Sequence, residues 1–176
     1  MTADADPKLK QLHQRFGDRV TFATLYVREA HPGDHFPQAG TLERKLEFAR
    51  ALKERDGLPW PVAVDAVDGE LHQKLDPKPN ACYVMDTEGR VAFRALWAND
   101  RVDVLGGALE DVVAGRSPVG ERSGKMVPMM RGLARMDEAL ERSGPTARRD
   151  LLRQVPPMYA LAKLAGLASR KDRLAA

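Results

Sequence analysis

The chain has 176 residues, of which 43% are hydrophobic and 30% charged, a balance that excludes both a disordered and a membrane-embedded polypeptide. No apolar run approaches the roughly 20 residues that span a bilayer. The opening MTADADPKLKQ has no apolar signal core, so a cytoplasmic protein is expected. The net charge of +3 is unevenly placed: residues 1–116 hold 16 Lys and Arg against 19 Asp and Glu, and residues 117–176 hold 12 against 6. That shift predicts a domain over 1–116 and a basic, Met-rich helical extension over 117–176, divided where Gly115, Pro118, Gly120 and Gly124 favour loops. A basic tail alone is weak ground for nucleic-acid recognition, and none is expected.

In chain order, Leu9, Leu12 and Phe16 share one face of a helix over 7–16, with Pro7 suited to its first turn. Gly17 and Asp18 end it. The run VTFATLYV (20–27) is β-branched, aromatic and uncharged, which predicts a strand buried on both faces. A loop follows between Glu29 and Gly40, with Pro32, Gly33 and Pro37. Thr41 then caps a helix whose inner face carries Leu42, Leu46, Ala49 and Leu52. WPVAVD (60–65) predicts a second strand, and a helical turn follows over 70–75.

Two apolar runs, 81–85 and 91–96, are joined by DTEGR with Gly89 in the turn, which predicts a hairpin. A helix over 100–114 faces Val104, Leu105, Leu109, Val112 and Val113 inward. Helices alternating with the early strands imply parallel pairing, and the hairpin adds an antiparallel pair, so the fold class is a mixed α/β sheet with flanking helices. The tail reads as helices over 127–143, 146–154 and 157–168, broken at Gly144–Pro145 and Pro156–Pro157. Met126, Met129, Met130, Leu133 and Met136 recur at helical spacing. Such a stripe packs onto the main domain or onto a twin chain in a homodimer. The amphipathic last helix ends in basic residues that suit its own dipole.

The densest polar cluster directly follows the first strand: Tyr26, Arg28, Glu29, His31, Asp34 and His35. Ligands bind beyond the carboxyl ends of parallel strands, which is where this loop lies. Glu29 and His31 alternate, so an extended backbone places both on one side, where a carboxylate would raise the imidazole pKa towards proton transfer at neutral pH. On spacing alone a loop of solvated charges is the plainer account. Pro32 and Gly33 keep His31 and His35 off one helical face, so no metal site is expected. Cys82, the only cysteine, excludes an internal disulfide and a Cys-x-x-Cys pair. It lies in an apolar strand with no neighbouring base to lower its pKa. His13 and His72 fall on helices and read as surface residues. No phosphate-binding or serine-hydrolase motif occurs, and no cofactor is expected.

LYVREAHPGD (25–34) with PQAGTLERKLEFARAL (37–52), PVAVD (61–65) and PNACYVMDTEGRVAFR (79–94) resembles the iodothyronine deiodinases and their bacterial relatives, over about residues 7–114. The resemblance implies a thioredoxin-like fold and thiol or selenol redox chemistry. It implies that Tyr26, Glu29 and His31 assist proton delivery and that Pro79 takes the place of the cis-proline facing the active site. Asp34 and His35, in the same polar loop, are expected to contact the substrate. It also implies an earlier strand bearing a nucleophilic Cys or selenocysteine, set between the strands at 20–27 and 80–86. The first helix begins at about residue 7, so the expectation is that these 176 residues lack that strand and its Cys motif. The alternatives are a longer chain that carries both upstream, a partner chain or swapped segment that completes the sheet, or a sheet closed without that strand. Ala39 and Ala81 stand where the family has a His and an Arg. The expectation is therefore a domain of oxidoreductase ancestry that lacks a nucleophile and is inactive as a thiol reductase in this form. Its expected partners are a thiol reductant or a chain that completes the sheet. The alternative is a non-catalytic assembly module that acts through its C-terminal helices.

Overall fold

The computed structural model describes residues 6–29, 32–75, 81–95, 102–118 and 133–174. Its elements are α1 (Asp6–Phe16), β1 (Thr24–Tyr26), α2 (Leu42–Asp56), β2 (Val62–Val64), α3 (Glu70–Leu75), β3 (Cys82–Met85), β4 (Val91–Ala95) and α4 (Val102–Val113). They are followed by α5 (Leu133–Ser143), α6 (Pro145–Gln154) and α7 (Pro156–Leu174). The class is mixed α/β. Two compact units form: Thr2–Arg28 with Gly40–Gly124, and Glu29–Ala39 with Lys125–Ala176. The loop after β1 thus belongs with the C-terminal helices, which sequence composition did not show.

In the first unit, α2 starts on the Thr41 hydroxyl, which accepts from the Arg44 N–H at 3.2 Å. It ends on Gly57 in the left-handed conformation, φ 56°, which a residue without Cβ adopts freely. The core forms where α1 and α4 meet the hairpin: Leu12, Phe16, Val84, Phe93, Ala95, Leu105, Ala108 and Leu109 are buried together. Leu9, Val20, Phe22 and Cys82 pack against this cluster. Beside it, the rings of His13, Phe22 and Trp60 stack within 5.7 Å of each other. The Trp60 indole N–H donates to the Thr24 hydroxyl at 2.8 Å.

Among the described residues four strands form two separate ladders. β1 pairs in parallel with β2, Leu25 opposite Ala63. β3 pairs antiparallel with β4, with an irregularity between Val84 and Met85. Among the described residues no hydrogen bonds join the ladders. The expected long, fully buried strand over 20–27 is therefore corrected: only Thr24–Tyr26 is strand, and all three residues are half-buried. Among the described residues β1 has a strand neighbour along one edge alone, which leaves its other edge unpaired.

In the second unit, α5, α6 and α7 pack around Leu133, Leu140, Ala147 and Ala162. Asp137 on α5 is buried and meets the Lys163 ammonium of α7 at 3.2 Å. Of the expected stripe, Met126, Met129 and Met130 lie outside the described residues, while Leu133 is buried and Met136 half-buried. No helix among the described residues is long and apolar enough to cross a membrane.

Candidate functional site

The carboxyl ends of β1 and β2 are stitched together by the Asp65 N–H, which donates to the Tyr26 carbonyl at 3.0 Å. In a parallel pair this is where ligand-facing groups collect. Asp65 is buried, and its carboxylate accepts from the backbone N–H of Ala66 (2.8 Å), Leu71 (3.1 Å) and His72 (2.9 Å). It thereby caps α3. Fully buried Lys45, on the inner face of α2, donates from Nζ to the Ala66 carbonyl at 2.6 Å. Burial pushes the Asp65 carboxyl up. The N–H groups of His72, Leu71 and Ala66, with the Lys45 charge, outweigh that and hold it below its ordinary 3.8. An ionised carboxylate with three donors already bound is a poor base; it anchors the strand ends.

Around this anchor stand Tyr26, Arg28 and His72. The Arg28 side chain lies against Gly69, where an added Cβ would meet Cδ at 3.1 Å. His72 and His13 are half-buried rather than surface residues. His72 Nε2 is buried and has no hydrogen-bond partner among the described residues. The same holds for the Tyr83 hydroxyl. Neither Lys45, Asp65 nor His72 stood out in the sequence. The expected inner face of α2 is corrected, since Leu42 is exposed and the buried residues are Lys45, Phe48 and Ala49; Lys45 was findable as a charge four residues before Ala49. Asp65 was findable as an acid between a strand and a short helix.

Of the residues singled out in the sequence, Tyr26 lies in the first unit, while Glu29, Asp34 and His35 lie in the second. His31 and Pro79 lie outside the described residues. The Glu29 carboxylate accepts from the Gln38 side-chain amide and from the Ala39 N–H. Asp34 accepts from Thr146 twice, from N–H at 2.8 Å and from the hydroxyl at 2.7 Å. α6 has glycine at its N-cap and no capping side chain of its own, so Asp34 supplies the acceptor that such a helix needs. The Thr146 N–H, then its hydroxyl, hold the Asp34 carboxyl below 3.8. His35 Nδ1 lies 3.0 Å from the Arg142 carbonyl. A carbonyl only accepts, so Nδ1 carries the proton. The His35 N–H donates to the Ser143 carbonyl at 3.2 Å. Asp34 and His35 therefore dock the loop onto the α5–α6 corner.

Cys82 is half-buried on β3 and packs on the core cluster. No three His, Cys, Asp or Glu side chains among the described residues converge as metal ligands. No family model matches the chain, and no curated protein or solved structure resembles it significantly.

Proposed function

We propose that the chain is a thioredoxin-like domain of deiodinase type that works as a binding or assembly module. In this reading its sheet is completed by a strand from a partner, and it has no thiol-reductase activity by itself. One observation carries this. The strands form two two-stranded ladders, and β1 and β3 each keep an edge without a strand partner among the described residues. In the β1–β2 ladder, Thr24 and Tyr26 turn their backbone groups towards β2. Leu25 turns its N–H and C=O the other way, as parallel pairing requires. An open edge of this kind is a template for an added strand.

The test joins hydrogen exchange to native mass spectrometry on the full chain. The expected result is rapid exchange of the Leu25 N–H in the 19.5 kDa species and protection of the same amide in a larger one. Protection in the 19.5 kDa species would overturn the reading, because the chain would then close its own sheet. Turnover of an iodinated phenol with dithiothreitol by the isolated chain would overturn the inactivity.

A second assembly surface is favoured by α7, where Leu161, Leu164 and Leu167 are 43%, 65% and 60% exposed. If the helices carry association, Leu164→Lys dissociates the larger species and Leu25 exchanges rapidly in both. Should a partner strand also bring a thiolate, His31 would protonate the leaving group with Glu29 orienting it. His31→Ala would then slow the active complex by roughly 10²–10⁴-fold.

A further inference from the structure

We propose that the outer edge of β2, together with the facing stripe of α2, binds an extended acidic peptide segment. This site lies on the opposite edge of the β1–β2 ladder from Leu25 and does not depend on the reading above. Along α2, Leu46, Ala49, Arg50 and Lys53 follow at helical spacing and form one wall of a cleft of about 280 Å³. Pro61, Val62 and Val64 form the other wall. The pairing of Thr24 with Val62 and Tyr26 with Val64 turns the Ala63 backbone towards β1. The N–H and C=O of Val62 and Val64 therefore point away from β1. Among the described residues no strand takes that edge.

Three features define the occupant. The floor is aliphatic, so it takes an apolar side chain. The volume lies just below the roughly 300–1,000 Å³ of sites that enclose a whole small molecule, which favours side chains of a bound strand. The lining includes two cations and no carboxylate. Arg50 and Lys53 are exposed, and neither forms an ion pair among the described residues. An added strand places alternate side chains on the face that Val62 and Val64 share, beside those cations. An aliphatic residue followed by acidic residues two and four positions on, all on that one face, therefore fits: backbone hydrogen bonds supply affinity, and the two charges select the sequence.

The test is a nitrogen-15 NMR titration of the full chain with a capped hexapeptide that has valine at position 2, glutamate at positions 4 and 6, and threonine between them. The expected result is saturable shifts at the Val62 and Val64 amides, weakened by salt. Arg50→Glu with Lys53→Glu is expected to weaken binding about tenfold or more with an unchanged circular dichroism spectrum. Arg50→Gln with Lys53→Gln gives an intermediate loss. Equal binding of the same hexapeptide with lysine in place of both glutamates would overturn the proposal. So would shifts confined to other residues, or binding of octanoate where the peptide fails, which would make the cleft a small-anion site. Protection of the Val62 and Val64 amides in the free chain would also overturn it, since another part of the chain would then hold that edge.

Discussion

At the scale of single residues, Asp65 ties the end of β2 to the start of α3 in the first unit. Its carboxylate holds three backbone N–H groups, and it offsets a fully buried lysine. Asp65→Ala strands all four partners, so it is expected to cost about 3 kcal/mol, measured by urea unfolding. Asp65→Asn keeps the shape and an acceptor oxygen and is expected to cost less. The pH dependence follows from the same contacts. Asp65 and Asp34 both have folded pKa values below the ordinary 3.8. Their stabilisation is complete above the unfolded carboxyl value and is lost as pH falls through the folded values, because the unfolded chain takes up protons first. Stability measured from pH 6 to pH 2 is therefore expected to fall on the acid side, and Asp65→Asn is expected to flatten that fall. If the wild-type curve is flat, these carboxylates do not hold the fold.

At the scale of elements, α1 and α4 earn their place through one face each. Leu109, 3% exposed, packs on Phe16, Val84 and Phe93 as part of one cluster. Leu109→Ala is expected to cost about 3 kcal/mol in urea unfolding. The docking of the 32–36 loop has a sharper requirement. A Cβ on Gly33 would lie 2.1 Å from the Ser143 carbonyl oxygen, whereas one on Gly40 would meet nothing within 4 Å. Gly33→Ala is thus expected to free the loop, seen as faster hydrogen exchange at Thr146, while Gly40→Ala leaves exchange unchanged. These elements were largely legible beforehand. Helix α1 showed its apolar spacing, α2 its Thr41 cap, and the β3–β4 hairpin its DTEGR turn, because each signal is local. The shortness of β1 was not legible, since a strand's length depends on what lies along its two edges.

At the scale of the whole molecule, the chain forms two units whose boundary does not follow the chain linearly: Glu29–Ala39 joins the C-terminal helices. The charge shift near residue 116 predicted a C-terminal extension, but the capping of α6 by Asp34 is a contact between residues 112 positions apart, which no local pattern encodes. Sequence by itself determined the mixed α/β class, the order of the elements and the single thiol, because periodicity, turn chemistry and composition are written residue by residue. Only the tertiary structure decided that Asp34 and His35 dock a loop, that Lys45 and Asp65 share a buried corner, and that the strands settle as two ladders. Those outcomes turn on which donors meet which acceptors across long stretches of chain.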